Sequence, residues 1–195
     1  MADANLAPFE QLAGMTLKLY IHGTASTAEP AASADPIASG FVFVGDTDGG
    51  QTVNHAGALT KFYDDNHQGV VKAVRPEEDP TITTTIVDLT LENYARVLND
   101  AANVTSDAGP PAVKRMPIKR GRMPKLYTML FRSEIASPYG SYPIQYYLPM
   151  AVFDGEPAPA FTKDGRAGLE LVVTPFEDDT QASGDELGWL TAQTS

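Results

Sequence analysis

Between Met15 and His22, Leu17, Leu19 and Ile21 alternate with Thr16, Lys18, Tyr20 and His22. A period of two residues predicts a strand with one face buried. Similar extended segments, rich in β-branched and aromatic residues, run over 37–45, 59–65, 69–75, 80–89, 125–136, 141–153 and 169–177. In 125–136, Tyr127, Met129, Phe131 and Ile135 fall on one side, and Thr128, Arg132 and Glu134 on the other. Pro80, which cannot donate to a ladder, marks a strand start. One stretch changes period: Leu91, Tyr94, Ala95 and Leu98 recur as the apolar stripe of a short helix. Thr90 is placed to cap that helix, and Asn99 and Asp100 to end it. So short a helix is marginal alone and must pack on a sheet.

The remaining segments are polar and punctuated by glycine and proline. They predict an N-terminal arm (1–14), long loops at 23–36, 46–58 and 101–124, and a C-terminal arm (178–195) with one large anchor, Trp189. The glycine-rich stretch 46–58 reads as an extended loop or the tip of a long hairpin. The pattern therefore predicts one domain over 1–195. It is mainly β, a sandwich or partly open barrel of about seven to eight strands with one flanking helix.

Composition narrows the function. Hydrophobic residues make up 43% and charged residues 20% of the chain, as in a folded soluble protein. No apolar run is long enough to span a membrane, and the start carries no basic, apolar secretory pattern, so synthesis and folding in a cytoplasm are expected. The absence of cysteine excludes disulfides and thiolate chemistry. A net charge of −11 opposes nucleic-acid binding, yet suits a surface to which DNA should not adhere. Six of the 14 basic residues nonetheless fall between Lys114 and Lys125: Lys114, Arg115, Lys119, Arg120, Arg122 and Lys125.

Candidate chemistry is sparse. Phosphate-binding, nucleophile-elbow, zinc-protease and dinucleotide motifs are all missing. His22, His55 and His67 have no shared helical spacing, so they read as solvated rather than as metal ligands with Asp64 or Asp65. "DTDGG" at 46–50 opens like a calcium loop, but the twelfth position is Gly57. The acidic clusters at 76–80 and 176–180 read as solvated turns rather than a glycosidase pair. No catalytic residue, cofactor or metal is expected. The basic run could bind nucleic acid, which its lack of interleaved aromatics and the acidic chain oppose, or meet an acidic surface of a neighbouring copy, against the plainer reading of a solvated loop.

The stretch "DPTITTTIVDLTLENYARVLND" (79–100) resembles the strand–helix unit of major tail tube proteins of long, non-contractile-tailed bacteriophages. Pro80, Ile82, Thr83, Asp88, Leu89, Thr90, Glu92, Ala95 and Leu98 match its pattern, and "GLELVVTPFEDD" (168–179) resembles the family's C-terminal strand. The resemblance covers 69–100 and 125–180; loops 23–36 and 101–124 have no counterpart in it. It implies a structural virion protein, not an enzyme. Its subunits form six-membered rings that stack into a hollow tube, with a long loop and terminal arms bridging rings. Implied partners are further copies of the chain, a tape-measure protein, a tail-tip initiator and a tail terminator, with DNA passing through the lumen without specific binding. Other readings are a head-decoration or type VI secretion tube-like subunit, or a carbohydrate-active or binding β-sandwich.

Five expectations follow for individual residues. The 46–58 segment, with Asp46, Asp48, Gln51, Asn54 and His55, reaches the adjacent ring. Glu134 and Glu170 face the lumen. Lys114, Arg115, Lys119, Arg120 and Arg122 contact another subunit. The tail around Trp189 docks onto a neighbour. Leu91, Tyr94, Ala95 and Leu98 pack the helix against the outer face of the sheet.

Overall fold

A computed structural model describes residues 17–35, 37, 40–75, 78–159 and 167–194. The N-terminal arm expected over 1–14 lies outside them. The strands are β1 (Lys18–His22), β2 (Phe41–Gly45), β3 (Thr47–Gly57), β4 (Thr60–Phe62), β5 (Lys72–Val74), β6 (Glu78–Ile86), β7 (Thr105–Asp107), β8 (Val113–Arg115), β9 (Tyr127–Ser133), β10 (Ile144–Phe153), β11 (Leu169–Pro175) and β12 (Trp189–Ala192). The helix α1 spans Leu91–Val97, followed by a single 3-10 turn at Ala101–Asn103. The protein is mainly β, as the pattern predicts.

Eight strands form one antiparallel sheet in the order β2-β1-β9-β10-β11-β6-β3, with β12 added to β10. β2 and β3 stand at opposite ends of this order, yet only Asp46 separates them in the chain. Chain continuity therefore requires the sheet to curl until its ends meet, giving a rolled, incompletely hydrogen-bonded barrel. Gln51 fastens the seam. Its side-chain amide donates to the Leu17 carbonyl at 2.6 Å and accepts from the Leu17 N–H at 2.7 Å, as a facing strand would. A register shift between Asp48 and Gln51 bends β3 at this point, with Gly49 and Gly50 at positive φ.

The predicted alternation carries into the core. Leu19 and Ile21 of β1, Ile82 and Ile86 of β6, Met129 and Phe131 of β9, and Leu169, Leu171 and Val173 of β11 share one apolar cluster. Ile135, expected beside them, lies beyond the end of β9 and is 54% exposed. The other face of β9 is buried too: Thr128, Leu130 and Arg132 are covered along with the core-facing side chains.

The cause of that two-sided burial is segment 24–34, expected as a surface loop. It lies as a strap across β9 and β10. The Thr27 N–H donates to the Thr128 hydroxyl, the Tyr147 hydroxyl donates to the Thr27 carbonyl, and Gln145 donates to Pro30. The polar side chains beneath it are hydrogen-bonded, which offsets their burial.

Helix α1 is capped as expected, the Thr90 hydroxyl accepting from the Asn93 N–H. Its packing differs from the expected stripe. Leu91 is exposed, Tyr94 and Leu98 are half-buried, and the covered positions are Asn93, Ala95 and Val97. Asn93 turns inward, where its amide donates to the carbonyls of Val44 and Asp88. Val97 joins the same core cluster as Leu19 and Phe131, with Tyr94 packed against it. The helix thus closes the core rather than covering the outer face of the sheet.

Candidate assembly surfaces

The segment 46–58, expected as a loop, is mostly strand. β3 pairs with β6 from Thr47 opposite Ile86 to Gly57 opposite Glu78, broken only at the Gly49–Gly50 bulge. Asp46 is held in the body of the fold, its N–H donating to Asp88 and its carbonyl accepting from Val87. Asp48 sits exposed at the bulge, and Gln51 is spent on the seam. Asn54 and His55 lie farther on, exposed, where β3 and β6 leave the barrel.

Beyond them the chain forms a projecting arm. β4 and β5 pair with each other and with no other strand among the described residues. Every residue from 54 to 75 is exposed. Leu59, Phe62, Tyr63, Val70, Val71 and Val74 are large apolar side chains on this arm, with Tyr63 66% exposed. Its tip is a local turn in which Asp64 accepts from the Asn66 N–H and bonds His67. The His67 hydrogen bond, aided by the Asn66 N–H, holds the Asp64 carboxyl below its usual range. His67 and Asp64 are thus a turn pair, and the described residues hold no group of three or more potential metal ligands.

The β11–β6–β3 wall presents a threonine-rich outer face. Glu170 stands opposite Thr85 and Asp48, and Val172 opposite Thr83 and Thr52. Glu170 is exposed there. Glu134 is not beside it. It lies at the end of β9, ion-paired with Lys18 of β1 at 3.1 Å, with β10 between the two positions. The two carboxylates expected to share a lumen therefore lie on separate parts of the rolled sheet.

The basic run folds largely onto its own chain. β7 and β8 make a small hairpin within the 101–124 segment, leading into the run, which the proline-rich sequence did not suggest. Lys114 pairs with Glu92 of the helix, an exposed contact. Lys119 and Arg122 both reach Asp100, at 3.1 and 3.2 Å, and the Asp100 side chain is almost completely buried. Burial alone would raise the Asp100 pKa; hydrogen bonds from Asn103, Lys119 and Arg122 outweigh it and hold the carboxyl below its usual range. Arg115 and Arg120 remain exposed, outside any ion pair among the described residues. A charge carried by one buried carboxylate thus accounts for two of the five basic candidates.

Trp189 also finds its partner at home. It begins β12, which pairs with β10, and its ring lies 4.7 Å from that of Tyr147. Its indole N–H donates to Glu29 of the strap at 2.7 Å. Gln145 and Thr191 donate to the same carboxylate. Gly188 permits the approach: it has φ 120°, and an added Cβ would lie 2.2 Å from the Tyr147 carbonyl oxygen. The preceding turn is pinned by Asp178, buried and accepting from the Thr180 N–H and hydroxyl and from Gln181. Hydrogen bonds from Ser26, Thr180 and Gln181 drive the Asp178 carboxyl far below its usual range. Burial, with the negative charges of Glu29 and Asp178 nearby, pushes the Tyr147 phenol up to about 12. The C-terminal segment is therefore an integral strand and not a free arm, because Glu29 and Tyr147 satisfy its large side chain.

Sequence reasoning missed Glu29 and the arm. Glu29 lay in an alanine- and proline-rich loop without any motif. The arm was legible as two strands, but nothing in a single chain's pattern says that a strand pair stands off the core. No family model matches the chain, and no curated protein sequence matches it.

Proposed function

We propose that this chain is a self-assembling structural subunit, the tail tube protein that its strand–helix unit resembles, forming six-membered rings that stack into a hollow tube. The observation that carries this reading is the arm 54–75. It leaves six large apolar side chains exposed among the described residues. Contiguous exposed apolar surface of this kind marks a site of association. An arm that inserts into a different surface on the next copy makes a heterologous contact, and repetition of that contact yields a ring or a filament. The threonine-rich wall and the acidic net charge suit a channel through which DNA passes without adhering.

The inter-ring contact is accordingly assigned to the arm, with Asn54 and His55 at its root, rather than to Asp46, Asp48 or Gln51. Arg115 and Arg120 remain as basic groups for a neighbouring acidic surface. Negative-stain electron microscopy across concentration and salt tests the reading, with and without a tail-tip complex as initiator. Stacked rings or tubes are expected. A protein that stays monomeric even with an initiator, or that forms only closed trimers, rejects it.

A further inference from the structure

Residues 117–123 form a braced turn. Lys119 and Arg122 ion-pair with the buried Asp100 carboxylate, and Arg122 also donates to the Pro117 carbonyl at 2.9 Å, which closes the turn. The Lys125 N–H donates to the Asn99 side-chain oxygen at 3.1 Å and fixes the segment that leaves it. Held in this way, the turn carries Ile118 at 94% exposure and Met123 at 82%. Arg120, between them in sequence, is exposed and in no ion pair among the described residues. A cleft of about 500 Å³ opens where β6 begins and β11 ends. Pro175, Phe176 and Leu187 give it apolar walls, and Glu78, Asp79 and Glu177 give it carboxylates. Phe176 is 46% exposed. No basic side chain lines the cleft among the described residues. Glu78 is paired with Arg75, whereas Asp79 and Glu177 are exposed and in no ion pair among the described residues.

We infer that this cleft receives the 117–123 turn of a second copy of the chain, with Ile118 against Phe176 and Leu187, and Arg120 against Asp79 and Glu177. The two surfaces match twice over: an apolar tip meets an apolar wall, and a cation without an ion pair meets two anions without one. Complementarity of this kind selects the partner and fixes its register. Lys119 and Arg122 are spent on Asp100, so their part is to hold the turn in shape. That bracing lowers the cost of ordering the turn on binding. Ile118 stays exposed in its own chain, so its own cleft does not hold it. Turn and cleft are different surfaces, which makes the contact heterologous and lets it repeat from copy to copy. The inference rests on the reading that copies of this chain associate, and it adds a pair of surfaces separate from the arm.

The chain has no cysteine, so a disulfide between introduced cysteines reports the contact directly. Ile118→Cys and Phe176→Cys are made as separate full-length proteins, one with a mass tag, then mixed and oxidised. A mixed cross-linked dimer is expected, forming about tenfold faster than from Ile118→Cys mixed with Ser106→Cys, a control on the exposed strand β7. Adding Arg120→Glu should abolish that advantage, and Asp79→Lys with Glu177→Lys in the partner should restore it. A mixed dimer that forms no faster than the control overturns the inference. Glu177→Cys, at an exposed position, takes the place of Phe176→Cys should the latter fail to fold. Sedimentation with phosphatidylserine vesicles that is lost in Ile118→Ser, without the cross-link, also overturns it and gives the turn to a lipid surface. Micrographs of the same mixture separate this contact from the proposed function. Rings or tubes without the cross-link reject only the contact, and the cross-link without rings or tubes rejects only the tube.

Discussion

Glu29 shows how much one side chain can hold. Its carboxylate accepts from Gln145, Trp189 and Thr191, joining the strap, β10 and β12. Removing it leaves three donors to find new partners, at a cost of roughly 1 kcal/mol per uncompensated group. Glu29→Ala is expected to lower unfolding free energy by about 1–3 kcal/mol in urea titration and to red-shift Trp189 emission as β12 loosens. Unchanged emission would mean that the strap does not hold the strand. Asp178 sets a pH dependence at the same scale. Its folded pKa lies below the ordinary 3.8, so it stabilises the fold fully above that value. That stability is lost as pH falls from about 4 toward the folded pKa. Thermal melts of the native chain should show this acid slope, and Asp178→Asn should flatten it.

At the scale of the element, helix α1 separates pattern from packing. The cap was readable because threonine before an apolar period has a specific backbone role. Thr90→Ala is expected to cost about 1 kcal/mol. Leu91, the first residue of the predicted stripe, is exposed, so Leu91→Ala should stay within about 0.5 kcal/mol of the native chain. Chemical denaturation of the two variants checks both. The stripe was misassigned because Asn93 counted as polar. Its amide instead satisfies the Val44 and Asp88 carbonyls, a contact across 49 residues for Val44 that no local window contains. Strand β3 shows the same limit: its four glycine and asparagine positions read as an extended loop or a hairpin tip, whereas β6 pairs with it on both sides of the Gly49–Gly50 bulge. The acidic residue at the helix end, Asp100, was read only as a stop. Its role as the buried anchor for Lys119 and Arg122 depends on a loop returning to it.

At the scale of the whole molecule, the barrel and the arm are energetically separate. The arm residues are exposed throughout, so they contribute little burial to the fold. Replacing 58–74 with a short turn should leave the melting transition nearly unchanged while abolishing tube formation, as read by melting curves and electron microscopy of the same preparation. Loss of folding would show that the arm belongs to the core; normal tubes would remove it from assembly. Glu134 and Glu170 lie on different parts of the rolled sheet, with β10 between their strands.

The sequence by itself determined the class of fold, most strands, the helix and its cap, and the absence of cysteine chemistry. These depend on period and on local backbone preference, which a short window contains. The tertiary structure alone decided that β2 and β3 meet to roll the sheet and that the strap buries Thr128, Arg132 and Gln145. It also decided that Trp189 and, in the basic loop, Lys114, Lys119 and Arg122 find partners within the chain. Those outcomes rest on pairings between residues far apart in sequence, and hydrogen bonding across such distances leaves no periodic trace in the chain.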